Sequence, residues 1–183
     1  MARVLILLGD AAEELDSMYP IFRLREAGHE AVVTAPSTRP VRLVIHDFEP
    51  GCDAYTEKPG RLLPVDLAFA DVTPEDYDAL VIPGGRAPEY IRTDPHVARM
   101  VPYFFEQDLP VGTICHGPQV PAALGLLEGR TTAAYPPLRT DMEQAGATYK
   151  DAPDVVDRSM VSCRGWPDLP LWSRAFLALL EPL

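Results

Sequence analysis

One short run constrains the fold of this chain more than any other part of the sequence. Residues 111–118 read Val-Gly-Thr-Ile-Cys-His-Gly-Pro, so a β-branched apolar segment leads directly into Cys115 and His116. We interpret the run as a buried strand, a sharp turn and the start of a helix, with the thiol at the turn. This is the layout of a nucleophile elbow with Cys in place of Ser, and it predicts a reactive group at the end of a strand.

The position of Cys115 also predicts its protonation state. The first N–H groups of a helix are unpaired and carry partial positive charge, so a Cys there should favour the thiolate, which attacks carbonyl carbon. The alternative is a buried Cys that only packs in the core. On simple geometry His116, the next residue, is expected to point away from the thiol and to need a carboxylate to orient it.

The other segments predict a layered α/β domain. Val4–Leu8 and Ala79–Ile82 are continuous apolar runs, as expected for strands buried on both faces. A helical stripe over Leu15–Ala27 links the first of these runs to a further strand at Glu30–Ala35, which forms a parallel βαβ unit. We therefore predict one doubly wound α/β domain over residues 1–183, with a mostly parallel sheet sandwiched between helices.

One segment interrupts the alternation of strands and helices. Residues 37–63 contain a short predicted strand, Val41–Ile45, and then a long polar excursion with turn residues over His46–Gly60. Long structured loops in α/β domains often form the rim of a functional site or a subunit contact. A surface loop without either role is the alternative.

Composition excludes several classes of partner. The formal net charge of −11 opposes binding to nucleic acid or to an anionic membrane, because a phosphate surface requires a basic patch. The apolar run at the N-terminus is too short for a signal sequence or a membrane span. Cys52, Cys115 and Cys163 are widely spaced, so neither a disulfide framework nor a metal site is predicted. A reducing cytoplasm is the expected compartment.

In such a fold three strand ends meet in one crevice. The polar or glycine residues that follow these strands are Glu13 and Glu14, Gly84 and Gly85, and Cys115 and His116. A carboxylate beside a thiol can carry a proton, and the N–H groups of Gly85 and His116 could form an oxyanion hole. The alternative for either glutamate is a helix cap or a solvated side chain.

Several motifs then occur together in order and spacing. Besides the elbow run they are Val-Ile-Pro-Gly-Gly-Arg-Ala-Pro-Glu over Val81–Glu89, Tyr19-Pro20, Ala27-Gly28-His29-Glu30 and Ala134-Tyr135-Pro136. From Val4 to Leu180 the chain resembles the DJ-1/PfpI superfamily, and most of all its intracellular-protease branch. The runs Val44–Glu49 and Tyr55–Gly60 also resemble plant members with glyoxalase III activity.

The resemblance implies a flavodoxin-like fold, no cofactor, and an obligate dimer that is often assembled further into a hexamer. It implies Cys115 as the nucleophile and Glu13 as the carboxyl that hydrogen-bonds the thiol. It places Glu89 across a subunit interface, where it would complete a Cys115–His116–Glu89 triad in trans. Activity would then depend on assembly.

The expected substrate pocket contains Tyr135, which the resemblance places near the thiol, together with Gly84 and His46. The chain also departs from the family pattern. Asp16 stands where a second Glu is common, and we expect this change to affect only a peripheral pocket group. Cys163 stands where Ser is usual and should be buried, whereas Cys52 should be a surface thiol.

These residues allow three functions. The first is a glyoxalase III-type enzyme that converts methylglyoxal or glyoxal to a hydroxy acid through a hemithioacetal on Cys115, with deglycation as a related activity. The second is an intracellular cysteine peptidase or amidase. The third is a stress chaperone or redox sensor whose Cys115 is oxidised without turnover. We favour the first, because a walled-off site suits small substrates and a sensor needs neither His116 nor Glu89.

Overall fold

The computed structural model describes residues 1–181. Its strands are β1 Arg3–Leu7, β2 Glu30–Ala35, β3 Val41–Asp47, β4 Thr56–Leu63, β5 Leu67–Ala68, β6 Ala79–Ile82, β7 Val111–Ile114, β8 Thr131–Thr132, β9 Thr148–Tyr149, β10 Val155–Asp157 and β11 Met160–Cys163. Its α-helices are α1 Glu14–Glu26, α2 Ala87–Ile91, α3 Pro95–Glu106, α4 Gln119–Ala123, α5 Arg139–Gln144 and α6 Leu169–Leu180. Within this part of the chain no helix has the length and apolar character needed to cross a membrane.

Seven strands form the central sheet in the order β10-β11-β7-β6-β1-β2-β5. Every neighbouring pair is parallel except β10 with β11, so the predicted doubly wound, mostly parallel sheet is confirmed. Leu5 of β1 lies opposite Val32 of β2 on one side and Leu80 of β6 on the other. The chain winds outward in both directions from β1 and β6, which opens a crevice at their carboxyl ends.

The apolar runs form central strands because both faces of the sheet are covered. Ile6 and Val81 contact a cluster that includes Trp172 of α6, whereas Leu80 faces a second cluster with Phe104 of α3. Gly112 of β7 is required by this packing, because a Cβ there would lie 2.5 Å from Cζ2 of Trp172. The helices thereby hold the strand ends rigidly.

The structure corrects the prediction for residues 37–63. The predicted polar excursion is largely an antiparallel hairpin of β3 and β4, paired from Val41 with Leu63 to Asp47 with Thr56. The helix after the elbow has only five residues. The short helix α2 was not predicted.

Candidate active site

The elbow forms as predicted, and its backbone explains the residues around it. Cys115 follows β7 with a φ of +56°, a left-handed conformation that is uncommon for a side chain other than Gly. The N–H of Gly117 donates to the Ile114 carbonyl at 2.7 Å, which closes the turn. A Cβ on Gly117 would lie 2.1 Å from the Ile82 carbonyl oxygen, so only glycine fits this turn.

The expectation that His116 points away from Cys115 is wrong. Its Nδ1 lies 3.2 Å from the Cys115 Sγ, within hydrogen-bond distance. The positive φ of Cys115 turns the chain so that these consecutive side chains point into the same space. Thiol and imidazole therefore form a dyad without help from another element.

The expected thiolate is also not the resting state of this buried site. Cys115 is only 3% exposed, and burial, together with the nearby carboxyls of Asp16 and Glu13, raises the pKa of its thiol well above the usual range. The N–H groups of Gly85 and His116 oppose this rise because they donate towards the sulfur. Desolvation outweighs the partial charge of a five-residue helix, so the thiol is protonated at neutral pH.

Glu13 is the candidate proton carrier and is buried at the start of α1. Its side chain is 1% exposed and caps α1, with Oε2 accepting the Asp16 N–H at 2.7 Å. Burial raises the pKa of Glu13 to about 7, although the backbone N–H groups of Asp16, Leu15 and His46 lower it. Among residues 1–181 the Glu13 carboxyl makes no hydrogen bond to the thiol, so the bond implied by the resemblance is not formed in this state.

Asp16 is not the peripheral group that its sequence position suggested. It is fully buried, and an added Cβ on Gly84 would lie 2.6 Å from its Oδ2 and 2.5 Å from the Cys115 Cβ. Neither Asp16 oxygen meets hydrogen-bond geometry with any described group, although the Gly84 N–H lies nearby. Burial and Glu13 raise its pKa well above the usual range, so Asp16 is a neutral acid beneath the thiol.

The paired glycines bring backbone into the site. Gly85 has a φ of +80°, and its N–H is directed at the Cys115 sulfur. The Glu13 N–H donates to the Gly84 carbonyl at 3.1 Å, which fixes the first strand end against the middle one. The two N–H groups predicted for the oxyanion hole, those of Gly85 and His116, therefore converge on the nucleophile.

His116 is enclosed by aromatic rings, and its ring hydrogen-bonds no carboxylate among residues 1–181. Tyr135 stacks on it with ring centroids 5.0 Å apart, and Tyr55 presents an edge at 5.9 Å. Burial lowers the pKa of His116 to about 4, so the imidazole is neutral. Glu89 is exposed on α2, and within residues 1–181 its carboxylate makes no hydrogen bond. A triad through Glu89 would need a second chain and stays a prediction.

The hairpin forms a wall of the site rather than a surface loop. His46 of β3 is buried, and its Nε2 lies 2.9 Å from Glu57 of β4. Glu57 in turn accepts two hydrogen bonds of 2.7 Å from Arg86, the residue after Gly85. Arg86 lowers the pKa of Glu57 to about 2. The His46 ring contacts Tyr55 at 4.3 Å, so this network holds Tyr55 over His116.

Replacing Glu57 by glutamine is expected to reduce the free energy of unfolding by about 1–3 kcal/mol at pH 7, because it removes the charged partner of Arg86 and His46. Because the pKa of Glu57 is lowered in the folded state, the stability that its carboxylate contributes is present above about pH 4.5. This stability is lost as the pH falls towards 2. Urea unfolding at pH 7 and at pH 3 measures this difference. Turnover should fall as well, because Tyr55 loses its support.

Glu49→Gln is the matched control on the same hairpin. Glu49 pairs with exposed Lys58 at 3.1 Å, and such surface pairs contribute about 0–1 kcal/mol. Equal losses of stability in the two variants would show that the Glu57 network does not support the wall.

Sequence reasoning did not assign Tyr55 and Glu57 to the site, and it gave Asp16 only a peripheral role. Asp16 lies one helical turn after Glu13, so helical spacing alone placed it on the same face. Tyr55 and Glu57 gave no such signal, because only the hairpin register brings them to His116. Glu14 was a candidate, but it turns outward to pair with Arg61 and ties α1 to the hairpin.

Comparison with known proteins identifies the family. The DJ-1/PfpI family model matches residues 2–179. A deglycase of Pyrococcus abyssi is 41% identical over 98% of this chain and 99% of its own. DJ-1 homolog D of Arabidopsis thaliana is 38% identical over 97% of this chain and 47% of its own. The crystal structure of a two-domain protein from Anabaena variabilis, with a DJ-1/ThiJ/PfpI-like and a ferritin-like domain, superposes with a TM-score of 0.84 at 30% identity, covering 98% of this chain and 48% of that one.

The fold, the cysteine elbow and these matches agree over almost the whole described chain. The parallel sheet order and the positive φ of Cys115 are features that sequence identity alone would not reveal. This chain belongs to the DJ-1/PfpI family.

Proposed function

We propose that this chain is a cofactor-independent glyoxalase III-type enzyme that converts methylglyoxal or glyoxal to the corresponding hydroxy acid. One observation carries the proposal, namely that the Cys115 thiol lies 3.2 Å from His116 Nδ1 in a buried site that also contains the Glu13 carboxyl, whose pKa burial raises to about 7. A carboxyl with that pKa can both accept and return a proton at neutral pH. The reaction consists of two such transfers on one small substrate.

In the first step the Cys115 sulfur attacks the aldehyde carbon of methylglyoxal. A sulfur–carbon bond forms, and the thiol proton passes to the former aldehyde oxygen by way of Glu13 or His116, giving a hemithioacetal. The N–H groups of Gly85 and His116 converge at the sulfur and are placed to stabilise the negative charge that develops on this oxygen.

In the second step Glu13 moves a proton between the two carbons. Its carboxylate removes the hydrogen on the thiol-bearing carbon, and the electron pair passes to the ketone as an enediol. Return of the proton to the second carbon gives a thioester, and water releases lactate and the free thiol. The aldehyde carbon is oxidised and the ketone carbon reduced, so no external oxidant or cofactor is needed.

Deglycation would begin with the same attack on a carbonyl adduct, and the relative from Pyrococcus abyssi carries the name deglycase. The small, enclosed site favours free dicarbonyls as the first substrates to test, because Cys115 is 3% exposed. A peptide would need an open groove to reach it.

A cysteine peptidase or amidase is the second candidate. His116 would have to accept the thiol proton and then pass it to the departing amine. Its pKa of about 4 makes it a weak proton acceptor in this chain. Glu89 of a second copy would raise this pKa by pairing with the imidazole, and we propose that assembly supplies it. Hydrolysis of peptides would therefore require the oligomer.

The test is to incubate the purified protein with methylglyoxal, without glutathione, and to follow lactate. We expect lactate from the wild type and a loss of at least about 1,000-fold in Cys115→Ala, because the nucleophile is removed. Cys52→Ala removes an exposed thiol outside the site and serves as the control. Absence of lactate from the folded wild type, with hydrolysis of a peptide amide, would reject the glyoxalase function in favour of the second candidate.

A further inference from the structure

One cavity lies close to the Cys115 thiol and is not used by the chemistry above. It has a volume of about 410 Å³ and is bounded by Phe48, Tyr135, Arg164, Gly165 and Trp166 with neighbouring prolines and aspartates. We call it the aromatic cleft. Cavities of about 300–1,000 Å³ typically hold ligands larger than a three-carbon dicarbonyl. The cleft therefore has space beyond what methylglyoxal requires.

The aromatic cleft lies beside the reactive centre, because Tyr135 and Gly165 belong to its lining and also approach His116 and Cys115. Phe48 at the hairpin stacks on Trp166 at 5.3 Å and faces Tyr135 at 6.5 Å, with ring planes within 23° of each other. Tyr135 continues the stack onto His116 at 5.0 Å. At the inner end Gly165 has no side chain, and a Cβ there would lie 3.9 Å from the Cys115 Sγ. The stacked rings thus extend from the cleft to His116, and Gly165 lies between the cleft and the Cys115 sulfur.

The charges in the aromatic cleft decide what kind of group it suits. Its one cation, Arg164, is already held by Asp168 at 2.8 and 3.0 Å and by Asp151 at 2.8 Å. Two carboxylates around one guanidinium leave the floor net negative, which opposes an anionic ligand such as a carboxylate or phosphate. A flat apolar ring, in contrast, would bury apolar surface against Phe48 and Trp166 and would stack on them.

We propose that the aromatic cleft binds the aryl group of aryl 2-oxoaldehydes, so that these larger dicarbonyls are the preferred substrates of this site. The inference rests on the glyoxalase function proposed above and names its substrate class. The aldehyde carbon would reach Cys115 past Gly165 while the ring packs along Phe48 and Trp166. Phenylglyoxal would add one water and leave as mandelate by the same two proton transfers.

A cavity of similar volume elsewhere, about 390 Å³, does not compete for this role. It opens beside Gly9 and Tyr90, and its lining includes neither Tyr135, which stacks on His116, nor Gly165, which approaches the Cys115 sulfur. Both of its guanidinium groups are paired, Arg39 with Asp10 and Arg86 with Glu57. Only the aromatic cleft among the described cavities is continuous with residues that contact the dyad.

The kinetic test compares phenylglyoxal with methylglyoxal as substrates of the full-length protein. We expect kcat/KM to be at least about tenfold higher for phenylglyoxal, the size of effect that one well-packed aromatic contact produces. In Phe48→Ala the ratio of the two values should fall about tenfold. Phe22→Ala is the matched control. Phe22 is 57% exposed and Phe48 is 56% exposed, but Phe22 lies on α1, outside the cleft.

A binding test works without turnover. Acetophenone and acetone are titrated into Cys115→Ala while Trp166 fluorescence is followed, since Trp172 is buried in the core. We expect acetophenone to bind at least about tenfold more tightly than acetone. We expect Phe48→Ala to remove most of that difference.

The outcomes separate this inference from the proposed function. Turnover of both substrates with equal kcat/KM, and no change of their ratio in Phe48→Ala, would overturn the aryl site and leave the glyoxalase function standing. If neither substrate is turned over, the proposed glyoxalase function is rejected. The titration alone then tests whether the aromatic cleft binds an aryl group. Equal affinity for acetophenone and acetone would then overturn the aryl site, whereas a Phe48-dependent preference for acetophenone would support it.

Discussion

Alanine at Gly85 is expected to lower the free energy of unfolding by more than about 3 kcal/mol, because two costs combine at this position. Its φ of +80° is strained for any side chain, and an added Cβ would lie 2.3 Å from the Glu13 nitrogen and 2.4 Å from the Ala11 carbonyl oxygen. These neighbours are backbone atoms, so no side-chain rotation relieves the contact. The loop that carries the Gly85 N–H must move, and turnover should be lost together with stability.

Gly28→Ala separates conformational strain from the close contact. Gly28 has nearly the same φ, +83°, but nothing lies within 4 Å of its Cβ position. Its substitution should cost only about 1–2 kcal/mol and leave turnover unchanged. Urea unfolding of both variants, with a methylglyoxal assay, measures the difference. Similar losses of stability in the two variants would show that the approach of Gly85 to the first strand end is not rigid.

Replacing Glu13 by glutamine is expected to reduce kcat for methylglyoxal by about 100- to 10,000-fold, since glutamine can neither accept nor return a proton. In the wild type kcat/KM should rise with pH through about 7, because the carboxylate is the form that removes the carbon-bound hydrogen. Glu14→Gln is the adjacent control, since Glu14 pairs outward with Arg61. A wild-type rate that is constant from pH 5 to 8 would contradict a role for Glu13 as the base.

Stability should change with pH in the opposite sense to activity. Because the pKa of Glu13 is raised, the folded state holds the carboxyl proton more tightly than the unfolded state does. The resulting contribution to the free energy of unfolding is fully present below pH 4.5 and is lost as the pH rises to about 7. Relative to Glu13→Gln, the wild type should lose on the order of 3 kcal/mol between pH 5 and 8. Urea unfolding at these two pH values measures the loss.

The hairpin of β3 and β4 also keeps the Glu13 carboxyl buried. The backbone N–H of His46 on β3 lies near Glu13 and lowers its pKa, and Glu57 of β4 lies 2.9 Å from the Nε2 of His46. Removing this wall would expose Glu13 to water, and its pKa would fall towards the usual value of a solvated carboxyl. The hairpin is thereby linked to the proton chemistry and not only to the shape of the site.

The amino-acid sequence alone determined the central architecture. A strand that is buried on both faces must be apolar at every position, so Val4–Leu8, Ala79–Ile82 and the run before Cys115 could be recognised without any partner strand. The sharp turn at Cys115 left an equally local signal, because the apolar strand, Cys115, Gly117 and Pro118 follow one another in the sequence. These features depend on neighbours in sequence or on burial in general.

Tertiary structure alone decided the state of the reacting groups. The helix start after Cys115 predicted a thiolate, but the pKa of a buried thiol is set by desolvation and by Asp16 and Glu13, which approach from another strand end. The direction of His116 followed from one positive φ, and the contacts of Tyr55 and Glu57 followed from the register of the hairpin. Electrostatic environment and strand register depend on groups far apart in the chain, so local patterns of residues do not contain them.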